Sequence, residues 1–402
     1  MFTRNLPAAR VYLIFVAVTT VSFSTFATLS AIYRFQTAQL NPFQLMLIGT
    51  VLELTVFLFE VPTGIVADLY SRRRSVIIGM LLIGLGFLLE GAVPVFAFML
   101  LAQVIWGLGA TFESGAIDAW ITDETSEKEA ADLFLQGAQI SSLVSFLGIG
   151  LSVALASLYL GLPLMVGGLG YLLLALFLLV KMPENHFHPD RDANHNLWQN
   201  MKTSFGAGLN LAKRKPQLYT LFIITAILGA SSETFDRLNE AHFIADIGMP
   251  GIFSPAVWFG LISGGSSLII LVLIQRLRNR VDTQSHLAVT RVLLIINVLL
   301  TVAIIGFGLA GNFVLALVCF MASTMLRSLN GPLYRAWLNQ ALEPQTRATV
   351  MSMNAQMDAL GQIIGGPLLG LIARAYGMPL SFVLAGLILM PASWLYLRIR
   401  RS

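Results

Sequence analysis

The sequence predicts an all-α membrane protein, with twelve transmembrane helices in two pseudo-symmetric six-helix bundles. Three observations carry this prediction. The 402 residues are 56% hydrophobic and only 11% charged, against roughly 25% charged in an ordinary soluble chain. Twelve spans of ~21 residues would use about 250 positions, leaving about 150 for loops and ends. The mean hydropathy of +0.77 fits that division. Finally, the apolar runs fall six and six around one long polar stretch, PENHFHPDRDANHNLWQNMKTSFGAGLNLAKRKPQ.

Taken in order, the spans lie near 11–34, 42–66, 75–95, 97–119, 135–158 and 162–181 in the first half. In the second half they lie near 218–242, 254–274, 287–308, 313–338, 353–374 and 379–397. The first run is longer than a signal-peptide core and no small-residue cleavage pattern follows it, so it is read as a retained span. Residues 1–182 form the N-terminal bundle, 183–216 a cytoplasmic linker and 217–402 the C-terminal bundle. Within the linker, Trp198, Met201, Phe205 and Leu209 recur at helical spacing and predict an interfacial helix. His186, His188 and His195 with Asp190 and Asp192 have no apolar context to hold a metal, and read as solvated linker.

A map with the N-terminus inside puts nineteen of the 25 Lys and Arg residues on the cytoplasmic side. Both termini are therefore expected in the cytoplasm of a multi-pass plasma membrane protein. The net charge is only +4 and dispersed over short loops, which points to membrane orientation and not to nucleic acid. The single cysteine, Cys319, excludes an intrachain disulfide or a CxxC metal site. No GxxxxGK[ST] phosphate loop occurs, and Gly107 and Gly109 lack a third glycine at dinucleotide-binding spacing. An enzyme is not expected, and no cofactor or metal is implied.

Self-comparison supports two related halves. A shift of 217 positions superposes Ala119-Trp120 on Ala336-Trp337, Ala138-Gln139 on Ala355-Gln356, Gly148 on Gly365 and Tyr159 on Tyr376. Ten identities fall between positions 119 and 159 in one ungapped register. Parallel repeats of this kind place a substrate cavity between bundles that rock against each other.

After the second span comes VPTGIVADLYSRRRSVIIG, in which Gly64, Asp68 and Arg72 with Arg73 and Arg74 stand at fixed spacing. In this the chain resembles the major facilitator superfamily, whose loop between helices 2 and 3 carries such a signature. Gly64 would let helix backbones approach, and Asp68 would face a helix N-terminus. The resemblance implies a latch between the Asp, the first Arg and an acidic residue at the inner end of helix 4, a role that Asp118 fits. It also implies that helices 1, 4, 7 and 10 line the cavity. FEVPTGIVAD is closest in flavour to drug and macrolide exporters, yet Gln103 stands where many exporters carry Arg. Positions 146 to 151, FLGIGL, lack the antiporter glycine motif, while GQIIGGPLLG at 361 to 370 carries a similar string in span 11.

An ionisable group at membrane depth costs at least ~2.5 kcal/mol and needs a partner or a wet cavity. Arg327 lies near the midplane of span 10, so Glu113 or Glu233 is expected to be the protonatable coupling residue and Arg327 its switchable partner. A neighbouring guanidinium stabilises a charged carboxylate until the pair separates. Glu233 and Arg237 stand at i, i+4, which predicts a local ion pair. Glu53, Glu60, Arg237 and Asn330 are candidate cavity or substrate residues, and Trp106, Trp120 and Trp337 are aromatics that could stack on a substrate, the last two fitting an interfacial belt. The expected function is a proton-coupled secondary transporter working by alternating access as a monomer. Its expected cargo is an exported amphipathic organic compound or drug, with uptake of a small anionic metabolite as the alternative.

Overall fold

The computed structural model describes residues 6–188, 206, 216–278, 285–340 and 347–401. They form an all-helical chain with twelve helices long and apolar enough to cross a membrane. The first bundle contains α1 (Ala8–Ile32), α2 (Pro42–Leu69), α3 (Arg72–Ala92), α4 (Phe96–Glu113), α5 (Ala116–Glu124), α6 (Glu127–Ala156) and α7 (Leu162–Lys181). The second contains α8 (Pro216–His242), α9 (Pro255–Arg278), α10 (His286–Gly308), α11 (Phe313–Gln340), α12 (Arg347–Tyr376), α13 (Met378–Ile388) and α14 (Met390–Arg401). The expected interfacial helix at Trp198 to Leu209 lies outside the described residues.

Polar side chains mark where the helices begin. Ser71 accepts a bond from the Arg74 amide to open α3, and Ser126 and Ser285 do the same for α6 and α10. Asn41 and Gln44 exchange backbone and side-chain bonds at 3.0 and 3.1 Å, closing a reciprocal cap at the start of α2. Large apolar side chains such as Leu143 and Leu147 of α6 stay exposed, as lipid contact allows.

Two compact units are present, one built on residues 1–40, 51–200 and 256–260, the other on 41–50, 201–255 and 261–402. Each repeats the same pairing. In the first, α1 packs on α6 and α7, and α3 on α4 and α7; in the second, α8 packs on α12 and α13, and α10 on α11 and α13. The first span of each unit ends in a widened π turn, Tyr33–Thr37 and Phe243–Ile247. The glycines matched by the 217-residue shift hold equivalent crossings. A Cβ on Gly148 would come within 2.7 Å of the Val21 carbonyl of α1, and one on Gly365 within 2.5 Å of the Ala230 carbonyl of α8. Gly361, one turn earlier, would meet the Ala226 carbonyl, so GQIIGGPLLG is a small-residue seam that lets α12 lie backbone to backbone on α8.

Two expectations need correction. Span 4 does not run straight to residue 119: it breaks at Ser114 and Gly115, the latter at φ 71°, and resumes as α5 to Glu124. A left-handed residue interrupts the helical phase, and glycine adopts it without strain. Gly64 is no close-packing site, because a Cβ there would meet nothing within 4 Å. Accordingly Gly361→Leu should cost about 3 kcal/mol or more through overpacking, whereas Gly64→Ala should be nearly neutral. Thermal unfolding of the detergent-purified protein checks the pair, and equal losses would contradict this packing.

Candidate functional site

In the first unit the charged loop between α2 and α3 is tied down by three carboxylates. Arg72 bonds Asp123 and the Ala119 carbonyl of α5, with Asp68 a turn away at 3.6 Å. Asp118, the expected third partner, is exposed and makes no bond to Arg72; only its carbonyl is used, by Thr122. The break at Gly115 sets α5 in its own phase, and Asp123, five residues on from Asp118, points at the loop. Arg73 donates its amide to Glu184 at 2.9 Å and its guanidinium to the Leu179 carbonyl, while Ser71 donates to the other Glu184 oxygen. Residues 183–188, read from sequence as linker, thus strap the end of this unit that carries the α2–α3 loop. Asn185 and His186 donate their amides to Glu124, and Trp120 donates to the Pro183 carbonyl.

Trp120 and Trp337 are therefore core residues and not a belt, at 1% and 2% exposure. Trp337 packs with Tyr334 and Tyr396, and Trp106 with Phe26 and Phe87. Glu60, Glu113 and Asp118 gather around the α4 break, where Ser114 donates to Glu60 at 2.8 Å. Glu53 is half-buried on α2.

Deeper in the same unit lies a pair that the sequence reading missed. Arg34 at the end of span 1 donates Nε to Glu90 at 2.6 Å, and Gln103 donates to the other Glu90 oxygen at 2.7 Å. All three are buried. The signal was present: Glu90 is a carboxylate inside span 3 and had to have a partner.

The second unit holds an open, partly charged cavity. A cavity of about 570 Å³ opens among α8, α10, α11 and α12. Arg327, Asn330, Gly331, Tyr334 and Arg335 line it from α11 at helical spacings of three, four, seven and eight, and Asp236, Asp358 and Gln362 face them. Arg327 is bound by both oxygens of Asp236, each at 2.6 Å, and its guanidinium lies 5.1 Å over the ring of Phe235. The expected partner, Glu233, is instead buried against Arg237 at 3.3 Å, the local pair that the spacing predicted. Glu233 and Asp236 stand at i, i+3, about 60° apart on α8, so both lie toward α11; Asp236 fills the Arg327 fork while Glu233 is held by Arg237. That Glu233–Arg237 pair rests on Gly49 of α2, whose hydrogen leaves the room a Cβ would take. At the end of the cavity away from Asp236, Thr225, Tyr334 and Asn354 share a network of 2.7 to 3.3 Å bonds. Of the candidates, Arg327 and Asn330 therefore meet in one cavity; Glu233 and Arg237 pair beside it, and Glu53, Glu60 and Glu113 belong to the first unit.

A cavity lined by both charge signs, amides and a phenol can bind a small organic solute. Among the described residues no group of three or more metal-ligating side chains is assembled.

Comparison with known proteins agrees with this architecture. A family model described as Major Facilitator Superfamily matches residues 12–289. The uncharacterized MFS-type transporter YxaM of Bacillus subtilis (strain 168) is 24% identical over 366 residues, covering 88% of this chain and 86% of that protein. The crystal structure of the nucleoside transporter NupG superposes with a TM-score of 0.80 at 14% identity, over 99% of this chain and 100% of that one. A POT family transporter in complex with a thioalcohol conjugated peptide gives 0.75 at 14% identity, over 97% and 95%.

Two outcomes follow for the first unit. Glu90→Gln leaves Arg34 buried beside a neutral amide and should cost about 3–5 kcal/mol, while Arg34→Met with Glu90→Met should recover most of it. Asp123→Asn should cost about 1–2 kcal/mol and Asp118→Asn under about 0.5 kcal/mol. Thermal unfolding reads both, and an Asp118 variant as damaged as the Asp123 variant would contradict the assignment.

Proposed function

Because this chain belongs to the Major Facilitator Superfamily of membrane transporters, we propose that it is a secondary active carrier moving a small polar organic solute by alternating access, driven by protons. It is an integral, multi-pass membrane protein whose family and fold are those of transporters and not of enzymes. The observation that carries the reading is the Asp236–Arg327 pair, set within two spans and facing a cavity with further polar groups. Charges at that depth are tolerated when paired or wetted, and they mark substrate and ion paths. We place both termini in the cytoplasm on the distribution of the Lys and Arg residues, and read the protein as a plasma-membrane carrier that works as a monomer.

Export of an amphipathic compound is the second reading. It is favoured by the exporter-like FEVPTGIVAD and by the apolar wall of Leu228, Leu300 and Ile304 in the same cavity. The charged and amide groups opposite that wall favour a polar cargo.

Purified protein in proteoliposomes should exchange radiolabelled solutes from a panel of nucleosides, dipeptides and organic acids, with net flux collapsed by a protonophore. Arg327→Gln should lower that flux at least about tenfold, the weight of a lost charged hydrogen bond. Flux indifferent to the protonophore would remove proton coupling, and flux undiminished in Arg327→Gln would remove the site. Glu113→Gln and Glu233→Gln test the two carboxylates as proton carriers; undiminished pH-driven flux in both excludes them.

A further inference from the structure

A second cavity, of about 530 Å³, adjoins the first within the same unit. It is lined by Phe235, Asp236, Asn239 and Glu240 of α8 and by Phe320, Thr324, Arg327 and Ser328 of α11, so a second carboxylate, Glu240, stands at its end away from the ion pair. Asp236 and Arg327 thus bound both cavities and form the wall that the two share. The first cavity uses residues 225–236 of α8 and 327–335 of α11; the second uses 235–240 and 320–328. These helices run in opposite directions, so both sets place the cavities in series along the span, with the ion pair between them.

The far cavity is built to receive something polar. Asn239 donates Nδ2 to the Phe235 carbonyl at 2.9 Å, but its Oδ1 is buried without a partner, as is the Thr324 hydroxyl. Asn239 is only 6% exposed, and an unsatisfied buried acceptor of this kind is destabilising until a donor reaches it. Phe235 and Phe320 stack at 5.2 Å and supply a flat apolar wall.

Resting on the transport reading above, we infer that Arg327 is the docking point for the carboxylate of an organic anion, which occupies the guanidinium fork in exchange for Asp236 while its body reaches Asn239 and Thr324. The fork is already shown to fit a carboxylate, since Asp236 fills it with two 2.6 Å bonds. Asp236 itself is 42% exposed at its side chain and can turn into the cavity. When it turns away, the shared wall loses its closing contact. Asp236 is then a built-in competitor that occupies the fork whenever the solute is absent.

The test uses the full chain in detergent, with thermal stabilisation measured against aliphatic and aromatic monocarboxylates, each beside its amide, and methyl phosphate as a further arm. Carboxylates should stabilise the protein and their amides should not. Asp236→Asn should strengthen carboxylate binding by about tenfold, and Arg327→Lys, which keeps the charge but loses the fork, should weaken it by about tenfold. Asn239→Ala should weaken the longer acids and spare acetate. The charge-balanced Asp236→Asn/Arg327→Gln chain, folded by its unfolding curve, should bind none. Amides binding as well as acids, affinity for acids unchanged in Asp236→Asn, or methyl phosphate binding in place of every acid each overturns the assignment. Equal binding of acid and amide by a chain with protonophore-sensitive flux refutes the anion assignment alone; absence of flux for the whole solute panel refutes the transport reading.

Discussion

A charge placed in hydrocarbon must find an opposite charge or water, and this single constraint sorts the ionisable residues of the protein. Arg34 finds Glu90 in a dry core, Arg237 finds Glu233 against α2, and Arg327 finds Asp236 at the edge of open space. These are three solutions with three uses. The buried pair at Arg34 is sealed by Gln103 and fixes spans 1, 3 and 4. The pair at Glu233 shares one helix, at i, i+4. Only the pair at Arg327 bridges two helices and remains open, with side-chain exposures of 28% and 42%, which is why function is assigned there.

Much of the fold could be read from the chain because its causes are local or periodic. Twelve apolar runs give twelve spans, and Gly148 and Gly365 match across the halves because each must let a fifth span lie on a first. The break in span 4 escaped because hydropathy averaged over a span passes over a single turn such as Glu113-Ser114-Gly115, and with it went the phase that turns Asp123 to Arg72. The site was legible in kind but not in pairing. Arg327 announced itself by depth, yet Glu233 and Asp236 share a face of α8, and the pairing is set by Arg237, which holds Glu233 and leaves Asp236 for the fork. Asn239 and Thr324 were invisible, since an amide and a hydroxyl in a span are ordinary until their partners are known to be missing.

The two units share a plan and spend it differently. In the first, polar side chains are tied to the α2–α3 loop and the strap beside it, and the core is aromatic, with Phe26 and Phe87 stacked at 3.5 Å. In the second, the same pairing of spans encloses open volume bordered by charge. That second unit also has an aromatic cluster, around Phe243, Phe307, Phe320 and Phe382.

The widened turns at Tyr33–Thr37 and Phe243–Ile247 have a genealogical meaning. A π turn adds one residue to a helix without adding a full turn, so everything beyond it is re-aimed. Finding it at the same place in both first spans is most economically explained by one ancestral six-helix piece that already bore the extra residue before it was copied. Arg34, which reaches Glu90 from inside that turn, and Asp246, which holds His242 from inside the other, are two later tenants of the same inherited kink.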